Sequence, residues 1–142
     1  MTADGMPVPS FAASAPCAPP TGNLGPLLHE IRHALTRWLE QGTEHAIDLR
    51  SIPLAAGEED SLLEQLGEGE VSARLSIMGP SVIIETRYPG VWLVTHYSED
   101  ESMTGRFIEV CQVPAILKSH TDEIRRGLER LEDQLSNAEA TV

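Results

Sequence analysis

Two histidines one helical turn apart, with a glutamate after the first, form the run in this chain that looks most like catalytic chemistry: His29-Glu30-Ile31-Arg32-His33. The HExxH spacing puts both imidazoles on one side of a helix, where they can hold zinc while the glutamate takes a proton from bound water. A zinc hydrolase built this way would use His29, Glu30 and His33. The neighbouring residues argue against it. Leu24, Leu27, Leu28, Ile31, Leu35 and Trp38 recur at helical spacing and define one apolar stripe. At about 100° per residue, His29 and His33 fall about 140° and 180° from Leu24, so they face solvent. No third ligand follows in the usual zincin patterns, and the pair is retained only as an adventitious metal contact.

Other chemistry is thinner still. There is no GxSxG, no phosphate-cradling glycine loop and no Cys-His spacing that marks a nucleophile. Cys17 and Cys111 stand 111 − 17 = 94 positions apart without a CxxC, which fits reduced cytosolic thiols and no disulfide framework or zinc knuckle. Cys111, at a strand end just before Pro114, reads as a small buried hydrophobe. Asp48, Arg50, Glu70 and Glu85 read as paired structural charges. No catalytic residue and no cofactor is expected.

The elements that must position these groups are bounded by composition. The chain has 142 residues with 10 Lys plus Arg and 22 Asp plus Glu, a formal charge of −12. Lys118 is the single lysine, so no basic patch is available for a phosphate backbone or an anionic membrane surface. No apolar run approaches the roughly 20 residues of a bilayer span, and the first residues lack the basic n-region of a signal peptide. A cytoplasmic protein is expected. Six of the ten prolines lie in the first 26 residues, where Asp4 is the only charge before Asn23. Residues 1–22 are therefore expected to be a disordered Pro/Ala-rich tail, residues 23–137 a single domain, and residues 138–142 a frayed acidic terminus.

Within the domain, Asn23 stands where an N-cap belongs, Pro26 falls in the first turn and Gly42 can stop a helix over Leu24 to Gln41. His45 to Leu49 reads as a short strand, and Glu58 to Leu66 as a small helix with acids in its first turn. Val71 to Ile77 alternates, Met78 to Ser81 supplies a turn, and Val82 to Tyr88 continues as a second strand. Tyr88-Pro89-Gly90-Val91 has the sequence of a type II turn and feeds Val91 to Tyr97. After the polar loop Ser98 to Ser102, Gly105 to Cys111 is a further strand. Pro114 opens a last helix from Ala115 to about Asn137, with Leu117, Ile124, Leu128, Leu131 and Leu135 recurring along it. The predicted fold is α+β, a four- to five-stranded antiparallel meander with two long helices on one face and a short connecting helix.

If both hairpins close symmetrically about these turns, Val71, Ala73, Leu75 and Ile77 share the core face with Val82, Ile84, Val91 and Leu93. The other face then sets Arg74 opposite Glu85 and Arg87 opposite Trp92, an aromatic and arginine mixture typical of interface centres. A solvated face finished by cross-strand pairs is the competing reading. A third reading is a homodimeric module in which Leu128, Leu131 and Leu135 form a helix-helix seam.

Four blocks in order then carry a resemblance: Ile47-Asp48-Leu49-Arg50-Ser51-Ile52-Pro53-Leu54, Leu66-Gly67-Glu68-Gly69-Glu70-Val71-Ser72-Ala73, Glu85-Thr86-Arg87-Tyr88-Pro89-Gly90-Val91-Trp92, and Ile108-Glu109-Val110 with Val113-Pro114. Over about Leu24 to Ile124 the chain resembles the C-terminal region of the HupH/HyaF family of hydrogenase expression/formation proteins. The resemblance implies a non-catalytic accessory role in [NiFe]-hydrogenase maturation. The implied partners are an immature hydrogenase subunit, expected to be the small subunit or its basic leader, and other maturation proteins. Asp48, Arg50, Glu70, Arg74, Glu85, Arg87 and Trp92 are the expected partner-binding residues, and Gly67, Gly69, Pro89 and Gly90 the expected turn residues.

Overall fold

The computed structural model describes residues 20–140; the expectations for the tail before Pro20 and for the last two residues lie outside them. The chain divides into two compact units, with the break between Gln112 and Val113.

In the first unit, α1 (Leu24–Gln41) ends where Gly42 adopts the left-handed conformation and its N–H reaches the Trp38 carbonyl at 2.8 Å. Asn23 occupies the N-cap position, but its side chain makes no cap bond and instead donates to the Pro53 carbonyl at 2.7 Å. After β1 (His45–Asp48), the Asp48 carboxylate accepts the Arg50 N–H and starts a short 3₁₀ turn, Leu49–Ser51. Helix α2 (Ala56–Leu66) carries Glu58 and Glu59 in its first turn, and the Glu58 carboxylate reaches back to the Ala55 N–H at 3.0 Å. Strands β2 (Ser72–Ser76), β3 (Pro80–Glu85), β4 (Val91–Tyr97) and β5 (Met103–Val110) follow. All pairs are antiparallel, in the order β1-β5-β4-β3-β2. The architecture is the expected α+β meander, with the short first strand completing a five-stranded sheet.

Both helices of this unit pack on one sheet face. Leu27 and Ile31 from α1, Leu62 and Leu66 from α2, and Ile47, Val91 and Ile108 from the strands form one buried cluster. Truncating a fully buried leucine such as Leu62 removes both transfer energy and packing, a cost of about 2–5 kcal/mol. Arg106 on β5 fastens α2 to this face, donating to Glu59 at 2.9 Å and to the Thr95 hydroxyl at 3.2 Å.

The hairpin registers differ from the symmetric expectation. Ser76 pairs with Pro80, leaving a three-residue loop of Ile77, Met78 and Gly79 in which Met78 and Gly79 both have positive φ. An odd loop exchanges the two faces of β2 relative to β3, so Ala73 pairs with Ile83 and Arg74 with Val82. The second hairpin keeps its type II turn, with the Val91 N–H on the Tyr88 carbonyl at 3.0 Å and Gly90 at φ +91°. It closes two residues earlier on the β3 side, because the buried Thr86 hydroxyl accepts the Tyr88 N–H and donates to the Val91 carbonyl. Glu85, and not Arg87, therefore pairs with Trp92.

In the second unit, the expected single helix from Ala115 is interrupted. A 3₁₀ turn, Ala115–Leu117, is followed by Lys118 in extended conformation, and α3 (Thr121–Ala140) begins after His120, whose N–H donates to the Glu123 carboxylate at 3.0 Å. That reach-back cap and the acids Asp122 and Glu123 set the start, and the helix continues past Asn137. None of the residues of α3 is buried; within the first unit, α1 and α2 supply the helical part of the buried cluster.

Candidate interaction surface around the glycine loop

The segment Leu66 to Val71 and the end of β3 are laced together by backbone. The Gly69 N–H donates to the Glu85 carbonyl at 2.7 Å, the Arg87 N–H to the Leu66 carbonyl at 2.7 Å, and the Glu85 N–H to the Val71 carbonyl at 2.8 Å. The Glu85 carboxylate accepts the Glu70 N–H at 3.2 Å. Two glycines make this approach possible. A Cβ on Gly69 would lie 2.5 Å from the Thr86 carbonyl oxygen, and Gly67, at φ +64°, would meet the Arg87 guanidinium at 2.8 Å. Glu70 and Glu85 are thus brought together, with Arg87 packed beside Gly67.

Glu85 begins a cross-strand row that continues through Trp92 on β4 to Glu109 on β5 and Ala46 on β1. Trp92 is only 5% exposed, and its indole N–H donates to the Cys111 carbonyl at 3.2 Å. Cys111 itself is buried, as its small-hydrophobe reading requires. Burial raises the Glu109 carboxyl above the ordinary range; His96 opposes that shift and Glu44 adds to it. Further along the same face, the Ser81 hydroxyl and His96 Nδ1 share a hydrogen bond of 2.8 Å, and the His96 ring meets Phe107 edge-on. The strand positions on this face carry Glu85, Glu109 and Asp48 and no Lys or Arg. This corrects the expected Arg74–Glu85 and Arg87–Trp92 pairs: the charged strand residues on the Trp92 face are all acidic, and Arg74 lies exposed on the opposite side of β2.

At the end of this row a cleft of about 430 Å³ opens between α1 and the Pro89-Gly90 turn, lined by Leu35, Trp38, Leu39, Pro89 and Cys111, with Glu85 on its wall. Leu39 is 78% exposed there. A smaller hollow of about 230 Å³ shares Cys111 and is bordered by Glu44, His45 and Glu109. Glu44, Glu109 and Leu39 were not singled out from the sequence, although Glu109 stood in a quoted block, and Trp38 was read only as part of the α1 stripe; only the β5–β4 register brings Glu109 beside Trp92. Asp48 and Arg50 form a separate group, where the Arg50 guanidinium donates to the Met103 carbonyl at 2.5 Å.

The HExxH run lies on the exposed side of α1. His29 and His33 are exposed, and the Glu30 carboxylate is engaged by His45 Nε2 at 2.9 Å. Among the described residues no group of three His, Cys, Asp or Glu side chains is placed to hold a metal ion.

Residues 22–138 match the family described as HupH hydrogenase expression protein, C-terminal conserved region. The chain is 30% identical over 113 residues to the hydrogenase expression/formation protein HoxQ of Azotobacter vinelandii, covering 78% of this chain and 40% of that one. It is 24% identical over 126 residues to HupH of Rhizobium leguminosarum bv. viciae, covering 89% and 45%. The chain thus spans less than half the length of these curated relatives. A solved structure of the hydrogenase expression protein HupH from Thiobacillus denitrificans ATCC 25259 superposes with a TM-score of 0.80 at 37% identity, covering 83% of this chain and 98% of that one. The laced glycine loop, the Pro-Gly turn and the five-stranded sheet all fall within the matched span, and the chain belongs to the HupH hydrogenase expression protein family through its C-terminal conserved region.

Proposed function

We propose that this chain is a non-catalytic accessory protein in hydrogenase assembly that binds an immature hydrogenase subunit, the small subunit, through its basic leader. The observation that carries the reading is the family match across residues 22–138. The surface supports it in kind: an apolar cleft with exposed Leu39 sits beside Glu85, Glu44 and Glu109, in a chain of formal charge −12. A segment with apolar residues flanked by arginines is complementary to that arrangement, and such attraction sets association rate and specificity. No helix among the described residues is long and apolar enough to cross a membrane.

The test is titration of the purified chain with a leader-bearing small subunit and with its leaderless form, at low and high salt. Binding that requires the leader, weakens with salt and is reduced by Leu39→Glu is the expected result. Equal binding of both forms, or salt-independent binding, overturns the leader assignment.

A further inference from the structure

Helix α3 is 20 residues long, about 30 Å, and none of its residues is buried. An isolated helix of this length with an internal Gly127 is only marginally stable in water. Yet its apolar residues are ordered on one line: Ile124, Leu128, Leu131 and Leu135 are spaced by four, three and four, and are 61%, 52%, 53% and 56% exposed. That spacing is the alternation of a and d positions in a coiled-coil seam, extended at its ends by Thr121 and Ala138.

The flanking charges select the occupant and its direction. Of the charged residues that flank the seam at e positions, Arg125 lies in its N-terminal half and Glu132 and Glu139 in its C-terminal half. We propose that α3 pairs antiparallel with α3 of a second copy of this chain. In that register Ile124 faces the partner's Leu135, and Leu128 faces the partner's Leu131. Arg125 and Glu132 occupy e positions, and e meets e across an antiparallel seam. Arg125 then lies against the partner's Glu132, and the two-fold axis repeats the pair. A parallel pair gives no such match, since it sets Gly127 beside Glu132, Gln134 beside Glu139 and His120 beside Arg125. Opposed helix dipoles favour the antiparallel arrangement as well.

The full chain is examined by sedimentation equilibrium across a concentration series, with circular dichroism of each variant to show that the sheet is retained. The expected result is a concentration-dependent dimer that becomes a monomer in the double variant Leu128→Glu/Leu131→Glu, which touches no buried residue. Arg125→Glu alone and Glu132→Arg alone each weaken dimerisation about tenfold, on the scale of two exposed ion pairs reversed to repulsion. The combined exchange restores it. A monomer at every concentration, including one whose α3 amides are protected by folding back on its own chain, overturns the proposal. So does a dimer that survives the double glutamate variant, or one that the charge exchange fails to restore.

Discussion

The Thr21 hydroxyl donates to the Glu58 carboxylate at 2.6 Å, joining the residues that lead into α1 to the first turn of α2 across 37 positions of sequence. The same carboxylate accepts the Ala55 N–H at 3.0 Å and the Gly22 N–H at 3.1 Å. These donors, Thr21 first, hold the Glu58 carboxyl down from 4.5 to about 2. A carboxylate depressed in the folded chain contributes stability above its unfolded pKa, and that contribution is lost as pH falls from about 4.5 toward 2. Urea unfolding followed from pH 7 to pH 2 should show a steep acid loss in the native chain and a shallower one in Thr21→Val. Parallel pH curves for the two would show that the pair does not set the shift.

Gly69 and Gly67 should respond to alanine for different reasons. At Gly69 the new Cβ meets the Thr86 backbone oxygen at 2.5 Å, and a backbone atom cannot step aside. At Gly67 the obstacle is the flexible end of Arg87, but φ +64° with ψ −163° is a region reserved for glycine, at about 1–3 kcal/mol. Chemical denaturation should therefore place Gly69→Ala and Gly67→Ala each at least about 1 kcal/mol below the native chain. Replacing Arg87 with Ala in the Gly67→Ala background should recover little, because the strain there is in the backbone.

Much of this architecture is written in local pattern, and what is not depends on loop parity and on pairing between distant segments. Gly42 and the Tyr88-Pro89-Gly90-Val91 turn do what their residue types dictate, and the apolar stripe of α1 is buried at Leu27 and Ile31. The face of β2 was not legible, because Met78 takes the positive φ that a three-residue loop needs, and nothing in a methionine advertises it. The Trp92 row was misassigned for a similar reason: the Thr86 hydroxyl, a side-chain detail, moves the hairpin closure so that Glu85 stands where Arg87 was expected. The acidic partner on the far side, Glu109, comes from a strand 17 positions on (109 − 92) that no local rule registers against Trp92. The HExxH run faces the way helix phase placed it, with His29 and His33 exposed.

Thr86 offers a clean test of that closure. Its buried hydroxyl donates to the Val91 carbonyl at 2.8 Å and accepts the Tyr88 N–H at 3.2 Å. Thr86→Val keeps the shape but leaves the Tyr88 N–H without that acceptor, a loss of about 1–3 kcal/mol. Faster amide exchange at Tyr88, with β4 unchanged, should accompany the lower midpoint; a neutral substitution would mean that water replaces the hydroxyl.

Glu109 should behave with the opposite sign to Glu58. Desolvation on the Trp92 face raises its carboxyl above 4.5, so in the folded chain the charged form is disfavoured, and stability falls as pH rises from the unfolded pKa through the folded one. Glu109→Gln removes that penalty while keeping the shape, and it should raise the denaturation midpoint at pH 7 while leaving it unchanged below pH 4. The same variant should weaken binding of a basic leader, because the charge that burial makes costly is one of three carboxylates beside the cleft. A variant that gains stability and loses leader affinity together would show a folding cost retained for recognition, whereas a gain in stability with binding unchanged would remove Glu109 from the docking surface and leave Glu85 and Glu44 to carry it.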